Sequence, residues 1–500
     1  MNRKSVWEAT AANVTFAPLA QDLDVDVAII GGGITGVTAA QMLCEAGRRV
    51  VVLEAQRVGQ GTTGHSTGNL HVAVDETLHA IRTKWNDDVL RVVCQSRQAM
   101  IDHIEQTVAR YALDCSFGRK THRIFPTEES QSKTMEQEHD AALAGGLAAS
   151  ITNDVPLPIA IGKALRIEHQ AQFQPASYVK QLAKVLHSDR CRIHEETRAE
   201  EIDAKELVIA TRNGTVRAKK ILLATHTPVG FHLVQTELGP YREYGIAVRL
   251  AEGAHLPDGI FWSLETPMHH SIRSFEANGV QYLLVIGEKH KVGQHDNDDD
   301  YYAKLESYAR QHFPVTSVEH TWSGQHYKPA DALPFIGQSG TNDDLYIATG
   351  FSTNGLLYGC VAARILTDAI VGRANEWAST FRANRFTPLK SAKDFAKENA
   401  DVAVQYLDLL KRGDLAPLAD IPAGEGRVVE LNGHKTAVHH GEDGSWCALS
   451  PICTHLGCVV HWNTHEKSWD CPCHGSRFDA TGAVIEGPAL APLKRKELTD

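Results

Sequence analysis

Apolar and amphipathic stretches alternate near the start of the chain in the order strand, helix, strand. Residues 25–30 and 49–53 are apolar runs of the length typical of buried strands. Between them, residues 37–46 have the small and apolar spacing of a buried helix, and Gly47 follows where helices commonly end. The pattern therefore predicts a βαβ unit of about 30 residues.

The rest of the chain divides into helical and β-rich stretches. Helical spacing predicts helices within residues 77–111, 175–187, 355–371 and 391–412, and another that begins at Tyr301. Apolar or alternating runs predict strands within 192–217, 220–225, 241–287 and 345–348, and short strands with tight turns follow Asp414. We therefore expect an α/β fold, with a Rossmann-like domain and a β-rich substrate domain, plus a small all-β C-terminal domain.

A glycine-rich turn joins the first predicted strand to the first predicted helix. Gly31, Gly33 and Gly36 have the spacing G-x-G-x-x-G, and Glu54 follows the second strand, 18 residues beyond the last glycine. The glycines permit a tight turn, a close approach of a pyrophosphate and close packing of the helix on the strand. The helix N-terminus offers N–H groups to phosphates, and a carboxylate at Glu54 can accept hydrogen bonds from ribose hydroxyls. In this context the motif predicts a dinucleotide site rather than a turn without a ligand.

Composition and charge exclude several classes of protein. The chain has 500 residues, of which 43 % are hydrophobic and 22 % charged, as in a folded protein of about three domains. The net charge of −11 argues against binding to nucleic-acid phosphates. No stretch approaches the ~18 apolar residues of a membrane span, and the first residues lack the apolar segment of an export signal. We therefore expect a cytoplasmic protein with no nucleic-acid partner and no membrane span.

Four further segments resemble a known family. They are the glycine- and threonine-rich loop 59–68, the strand 221–225, DALPFIG at 331–337 and LYIATGFSTNGLL at 345–357. With the nucleotide turn they resemble the FAD-dependent D-amino acid oxidase superfamily, the group of glycine and sarcosine oxidases, over residues 25 to about 380. The dinucleotide motif occurs once, so the resemblance implies FAD rather than an additional pyridine-nucleotide site.

The resemblance also implies which residues bind FAD. These are Gly31, Gly33, Ile34, Thr35, Gly36, Glu54, Thr62, Thr63, His65, Ala199, Ala224, Gly350, Gly355, Leu356 and Leu357. His65 stands eleven residues past Glu54, where some amine dehydrogenases of this superfamily attach the flavin covalently to a histidine. Other members have arginine there and bind FAD without a bond, so His65 is either an attachment site or a polar contact in the flavin loop.

Half of the ten cysteines lie within 27 residues near the C-terminal end, interleaved with histidines. They include CTHLGC at 453–458 and CPCHGS at 471–476, and fifteen residues separate His455 from Cys471, enough for a hairpin. Two loops that each supply one thiolate and one imidazole favour a metal site over a disulfide framework, because no export signal is present. Structural zinc is the alternative, but zinc sites usually use C-x-x-C knuckles.

The two loops resemble the Rieske 2Fe-2S domain, over residues 420 to about 493. The resemblance implies that Cys453 and Cys471 bind one iron and that His455 and His474 bind the other. Two imidazoles in place of two thiolates remove negative charge, so such a cluster accepts an electron more readily than an all-cysteine cluster.

Other positions of the Rieske resemblance concern the surroundings of the cluster. Cys458 and Cys473 match the pair that forms a disulfide in the Rieske proteins of cytochrome bc complexes, although disulfides are uncommon in the cytosol. Gly487–Ala489 resembles the proline loop that shields the cluster, and Ser476 matches a hydrogen-bond donor to a cluster sulfur. Phe478 stands where high-potential proteins have a tyrosine that donates to a cysteine ligand. Without that donor we expect a lower reduction potential.

Two other motif matches lack the context that they need. Residues 64–68 fit the G-x-S-x-G nucleophile elbow, but no strand is predicted just before them. The acidic run Asp296–Asp300 would need glycine and glutamate at the sixth and twelfth positions of an EF-hand, where Tyr301 and Ser307 stand. We interpret it as a solvated loop.

The two predicted cofactors together suggest a function. A flavin takes two electrons from a substrate, and a 2Fe-2S cluster carries one at a time. The sequence therefore predicts a flavin-dependent dehydrogenase that oxidises an amine or N-substituted amino acid and passes electrons through the cluster to an external, unknown acceptor. The alternative is an electron-transfer module, or a redox sensor, in which an outside donor delivers electrons to the flavin.

We expect three parts along the chain. Residues 1–385 form the FAD-dependent oxidoreductase, whose substrate part is mainly 241–327, residues 386–415 form a helical linker, and residues 416–500 form the Rieske domain. Arg242, Arg249 and Arg273 are candidates to clamp a substrate carboxylate, with surface ion pairing as the alternative role for each. The sequence identifies no catalytic residue.

Overall fold

The computed structural model describes residues 4–159, 161–264, 269–294, 299–340, 342–385, 387–407 and 417–498. Its helices are α1 (Val6–Thr10), α2 (Ile34–Glu45), α3 (Leu78–Lys84), α4 (Asp87–Tyr111), α5 (Ser132–Ala144), α6 (Pro175–Leu186), α7 (Tyr301–His312), α8 (Gly355–Val371), α9 (Ala378–Phe381) and α10 (Pro388–Leu407). Among the described residues, every helix is too short or too polar to span a bilayer.

The strands fall into three groups along the chain. Those before residue 230 are β1 (Leu23–Ile30), β2 (Val50–Leu53), β3 (Asn69–Leu70), β4 (Gly118–Phe125), β5 (Ala149–Thr152), β6 (Ala164–Gln172), β7 (Cys191–His194), β8 (Glu201–Asp203), β9 (Val208–Thr211) and β10 (Gly214–Leu223). The middle group is β11 (Leu238–Leu250), β12 (Ile260–Ser263), β13 (Ser271–Ala277), β14 (Val280–Lys291), β15 (Val315–Pro329), β16 (Phe335–Gln338) and β17 (Leu345–Thr349). The last group is β18 (Glu425–Leu431), β19 (His434–His440), β20 (Trp446–Leu449), β21 (His461–Asn463), β22 (Ser468–Asp470), β23 (Arg477–Asp479) and β24 (Val484–Glu486).

The first sheet contains the predicted βαβ unit. Its central order is β17-β10-β1-β2-β7, and these strands pair in parallel. The last four residues of β1 are buried, as expected for a parallel strand covered on both faces, and α2 packs against α8 on this sheet. The Rossmann-like prediction is confirmed.

The second sheet carries the order β15-β11-β14-β13-β12-β4-β6-β3. The β-rich prediction for 241–287 is confirmed, but the sheet also takes β3 to β6 from earlier in the chain. The sequence pattern does not mark β4 as a strand, because β4 carries several charged side chains. The structure pairs them: Arg119 lies 2.6 Å from Asp102 and 2.5 Å from Glu105 on α4, so the strand contributes its backbone while its charges are neutralised locally.

Several predicted bounds shift for local reasons. The helix predicted over 77–111 breaks at Trp85, and the Asn86 side chain caps α4 by accepting a hydrogen bond from the N–H of Val89 at 2.9 Å. The strand predicted over 220–225 is the end of a longer strand, β10. The linker helix is present as α10, while residues 386 and 408–415 of the predicted linker, and 296–298 of the acidic run, lie outside the described residues. The three domain boundaries stay predictions.

The C-terminal strands form two small sheets, β18-β19-β20 and β21-β22-β23-β24. Their shared core contains Trp462, Trp469 and Phe478, with the two tryptophan rings 4.9 Å apart. The core also contains the cysteines of both C-terminal motifs. The predicted small all-β domain is therefore confirmed, and its core holds the metal-ligand loops in place.

Candidate functional site

The nucleotide turn leaves no room for side chains at two of its glycine positions, as the motif predicts. Gly31 has φ +111°, and a Cβ there would overlap the carbonyl oxygen of Ala224. A Cβ at Gly36 would overlap the carbonyl oxygen of Gly31. Helix α2 begins after Gly33, and the N–H of Ile34 donates to the Thr63 hydroxyl, which leaves the N–H groups of Thr35 and Gly36 in this first turn for an anion.

Glu54 lies at the end of β2, beside this turn. Its carboxylate accepts hydrogen bonds from the N–H groups of Gly32, at 2.7 Å, and Gln56, at 2.8 Å. Burial raises its pKa, while the two N–H donors act in the opposite direction. The carboxylate is thus fixed in position, with lone pairs left for ribose hydroxyls.

A cavity of about 530 Å³ is lined by the nucleotide turn, by the second sheet and by the C-terminal domain. The predicted FAD-binding residues along it are Gly31, Gly33, Ile34, Thr35, Glu54, Thr62, Thr63, His65, Ala199, Ala224, Gly355 and Leu356. Gly36, Gly350 and Leu357 are not in its wall: Gly36 packs α2 on the turn, and Leu357 is buried in the core of the first sheet. The cradle fits a dinucleotide, and the individual FAD contacts stay predictions.

The loop after β2 brings threonine and histidine side chains to the cavity. Thr62–His65 is a turn of 3₁₀-helix, and the Thr63 hydroxyl oxygen accepts a hydrogen bond from the N–H of Ile34 at 3.1 Å. Nδ1 of His65 lies 3.0 Å from the carbonyl oxygen of Gly61, which leaves Nε2 as the nitrogen free to reach a ligand. A 3₁₀ turn precedes Ser66 and strand β3 follows it, the reverse of a strand–turn–helix elbow, and the Ser66 hydroxyl donates to the carbonyl of Thr63 at 2.9 Å.

The second sheet supplies the rest of the cavity wall. The residues that line it here are Glu243, Tyr244, Ile286, Trp322, Ser323, Gly324, Gln325 and His326, with Tyr302 from α7. The sequence did not single out any of these side chains. No motif marks them, because strand pairing across distant segments brings them together.

The three arginines predicted as a carboxylate clamp do not line the cavity, so that expectation is wrong. Arg242 is fully buried and donates to Ser323 Oγ at 2.7 Å and to Gln325 Oε1 at 3.2 Å. Arg273 donates to the carbonyl of Gly68 at 2.6 Å, and burial lowers its pKa to about 9. Arg249 is exposed near the far end of β11.

The C-terminal domain brings the four predicted cluster ligands together. Cys453 and Cys471 are buried free thiols, and the imidazole rings of His455 and His474 lie 5.1 Å apart. Both ring nitrogens of His455 are buried, and neither has a partner within hydrogen-bond geometry among the described residues. Buried imidazole nitrogens without partners fit metal ligands.

The cysteine pair beside the ligands is also as predicted. Cys458 and Cys473 form a disulfide with a Cα–Cα distance of 6.5 Å, which ties the two ligand loops together. The sulfur atoms of Cys458, Cys471 and Cys473 lie close enough together to hold a metal. Two of these three belong to the disulfide, so Cys471 is the one of the three that can be a metal ligand. The backbone N–H of Ala489, in the predicted proline loop, donates to Ser476 Oγ at 3.1 Å.

The ligand loops of the C-terminal domain lie against the second sheet. The Tyr327 hydroxyl lies 3.3 Å from the carbonyl oxygen of His474, and Gln325 Nε2 donates to the carbonyl of Gly475 at 2.8 Å. His226 lines the cavity, and its Nδ1 lies 2.7 Å from the carboxylate of Glu486. No sequence motif marks these contact residues. The only available signal was the position of His226 directly after the predicted flavin strand.

Comparisons with known proteins agree with both halves of this geometry. Residues 26–369 match the model of the FAD dependent oxidoreductase family, and residues 412–497 match the Rieske [2Fe-2S] domain. The chain is 32 % identical over 502 residues to the Rieske 2Fe-2S iron-sulfur protein YhfW of Bacillus subtilis (strain 168), covering 99 % of this chain and 98 % of that protein.

Two further relatives match the larger part of the chain. Gamma-glutamylputrescine oxidoreductase of Escherichia coli (strain K12) is 24 % identical over 391 residues, covering 75 % of this chain and 90 % of that protein. The glycine oxidase structure from Geobacillus kaustophilus superposes with a TM-score of 0.61 at 19 % identity, covering 73 % of this chain and 99 % of that one. The chain therefore belongs to the FAD dependent oxidoreductase family of the D-amino acid oxidase type, carries a C-terminal Rieske domain, and binds FAD and a 2Fe-2S cluster.

Proposed function

We propose that this enzyme is a dehydrogenase that oxidises the C–N bond of an amine or an N-substituted amino acid. The two electrons removed from the substrate leave FAD in single steps through the Rieske cluster to an external acceptor. When bound, FAD supplies the two-electron chemistry and the cluster supplies the one-electron steps.

The observation that carries the proposal is that one cavity touches both cofactor domains. Its wall includes the predicted FAD residues and also Ile485, Glu486, Gly487 and Ala489 of the Rieske domain. At the same junction, the Tyr327 hydroxyl reaches the main chain of the cluster ligand His474. This closeness of the cluster domain to the flavin cavity supports electron transfer between the flavin and the cluster.

The residues at the junction hold the two domains in a fixed relation. Tyr327 is buried between the sheet and the ligand loops, and its ring packs edge-on against His226 with centroids 4.8 Å apart. Glu486 and His226 close the wall of the cavity from either side. These buried polar contacts join the wall of the cavity to the ligand loops of the Rieske domain.

The relatives support the reaction class. Gamma-glutamylputrescine oxidoreductase and glycine oxidase are both named for substrates that contain an amino group. We accordingly propose an amine or an amino-acid-like compound as the substrate of this chain. The cluster distinguishes the proposal from an oxidase, since it offers electrons a route other than oxygen.

An anaerobic titration of the holoenzyme with amines and N-substituted amino acids tests the proposal. Absorbance follows the flavin, and electron paramagnetic resonance follows the reduced cluster. We expect a substrate to bleach the flavin and then to give the cluster signal within the same molecule. If only an electron-donor protein reduces the two centres, the chain is instead an electron-transfer module and the proposal fails.

A further inference from the structure

The arginine side chains in the wall of the cavity already contact other groups of the protein. Among the described residues, the arginines that line it are Arg198 and Arg477. Arg477 lies within 3.4 Å of Asp470 and Glu466, and 4.0 Å from Glu486. Arg198 adjoins the predicted adenine contact and donates to the carbonyl of Val484 at 3.1 Å. Arg477 is therefore paired with carboxylates, and Arg198 stands at the nucleotide end of the cavity, where the charges of Glu54 and Glu200 act on it.

One acidic side chain in the same wall, by contrast, has no partner of opposite charge among the described residues. Glu243, on β11, lines the cavity, and its carboxylate makes no hydrogen bond or ion pair within the described part of the chain. The cation that acts most strongly on Glu243, Lys289, is already paired with Asp75 at 2.6 Å. A carboxylate that faces a cavity without a partner attracts a cation.

A neighbouring histidine adds to this preference. His326 lines the cavity and is 4 % exposed, and its buried Nε2 has no hydrogen-bond partner among the residues that the structure describes. Burial, together with the charge of Lys289, holds the pKa of His326 well below its usual range, so the ring is neutral. A neutral imidazole can accept a hydrogen bond and adds no positive charge that would repel a cation.

We propose that Glu243 binds the protonated amino group of the substrate, and that the substrate is a cationic amine with no carboxylate beside the oxidised carbon. The proposal rests on the proposed function, of which it names the substrate class. Between an amine and an N-substituted amino acid, it selects the amine. An amino acid would bring its carboxylate towards the unpaired carboxylate of Glu243, whereas the arginines of this wall are paired with carboxylates or lie at the nucleotide end.

The geometry also implies a pH dependence of binding. Burial raises the pKa of Glu243 to about 7; Lys289 opposes this and Asp75 adds to it. Because only the ionised carboxylate attracts a cation, amine affinity should increase as the pH rises through about 7. The titratable groups whose charges act on Glu243 are Lys289 of β14, Asp75 of the loop before α3 and His270 beside β13, and His326 of β15 lies in the same wall of the cavity.

The test is isothermal titration calorimetry of the holoenzyme with butylamine, 1,4-diaminobutane, butyrate and N-methylglycine. The variants are Glu243→Gln, Glu243→Asp, which keeps the charge, and Glu276→Gln, an exposed glutamate on β13, as the matched control. We expect butylamine to bind more tightly than butyrate. Glu243→Gln should weaken butylamine about tenfold or more, as expected for a hydrogen bond to a charged group. Glu243→Asp should restore part of the affinity, and Glu276→Gln should leave it unchanged.

Three results would overturn the inference. They are tighter binding of butyrate than of butylamine, unchanged butylamine affinity in Glu243→Gln with normal FAD content, and an altered flavin spectrum in that variant without a change in amine affinity. The last would assign Glu243 to the flavin. Failure of the proposed function looks different: amines would still bind through Glu243, but would never reduce the flavin and the cluster.

Discussion

The phenol oxygen of Tyr327 lies 3.3 Å from the carbonyl oxygen of His474, so a strand of the oxidoreductase domain contacts a ligand loop of the iron–sulfur domain directly. The same phenol accepts a hydrogen bond from Gln325 Nε2 at 3.0 Å and lies 3.3 Å from the carbonyl of Gly487. This one hydroxyl therefore connects the second sheet, the ligand loop and the proline loop.

Tyr327→Phe should slow electron transfer from flavin to cluster. The substitution keeps the ring but removes the donor to His474, and a buried carbonyl without a partner costs ~1–3 kcal/mol. We expect a several-fold slower internal transfer, measured by flash photoreduction of the flavin and the rise of the cluster signal. Tyr282→Phe, a buried tyrosine of β14 packed near Phe275, is the control. An unchanged rate in Tyr327→Phe would show that this contact plays no part in the transfer.

Gly475→Ala should disturb the junction more than its backbone strain alone explains. Gly475 has φ +74°, and a Cβ there would lie 2.8 Å from Gln325 Nε2 and 2.8 Å from the Cβ of Pro240. Gly444 has φ +80° with nothing within 4 Å of the added Cβ, so Gly444→Ala measures the strain alone. The strain is ~1 kcal/mol, and overpacking adds ~1–3 kcal/mol in Gly475→Ala.

Calorimetry of both glycine variants checks this expectation, with iron content measured alongside because Gly475 follows the ligand His474. Equal unfolding temperatures for the two variants would mean that the ligand loop and the sheet are not held together as the structure describes.

Asp470→Asn should destabilise the C-terminal domain in a pH-dependent manner. Burial would raise the pKa of Asp470, but the guanidinium groups of Arg477 and Arg242 outweigh it and lower that pKa from 3.8 to about 2. A depressed pKa stabilises the fold above pH ~4, and this contribution of about 2 kcal/mol is lost as the pH falls towards 2. Asp470→Asn should therefore unfold more easily than wild type at neutral pH.

The difference between wild type and Asp470→Asn should shrink as the pH falls from about 4 towards 2, because the carboxyl is protonated first in the unfolded chain and only near pH 2 in the folded protein. Denaturant unfolding at several pH values measures this, with Asp420→Asn, at an exposed position, as the control. A stability difference that stays constant over the acidic range would contradict the assigned ion pair.

Phe478→Tyr should raise the reduction potential of the cluster. Phe478 is fully buried in the core that contains Cys453 and Cys471, so a hydroxyl added there has a cysteine sulfur within the same core to donate to. One hydrogen bond to a charged acceptor contributes ~1.5 kcal/mol, which corresponds to about 60 mV for one electron. Protein-film voltammetry measures the shift, and an unchanged or lowered potential in a variant with full iron content would count against the prediction.

Local sequence was enough to predict the two cofactor halves. Contacts within the βαβ unit, and with the strand beside it, require glycine in the turn from Gly31 to Gly36. The length of the same unit places Glu54 beside this turn. The cysteine and histidine motifs are equally local, because each loop supplies its own pair of ligands. Such features depend on residues that are close together in the chain, so they can be read directly from the sequence.

Tertiary structure alone decided what faces the substrate. Arg242 and Glu243 are adjacent, and the pleat of β11 directs them to opposite faces: Arg242 is fully buried and contacts Ser323 and Glu466, whereas Glu243 lines the cavity. The register that sets Glu243 opposite Gly324 joins segments about eighty residues apart, and a slip of one residue would exchange the two faces. The contact between Tyr327 and His474 joins residues still farther apart. The sequence by itself therefore determined which cofactors this chain binds, whereas long-range strand pairing and domain packing decided how they meet, because those contacts have no local sequence signal.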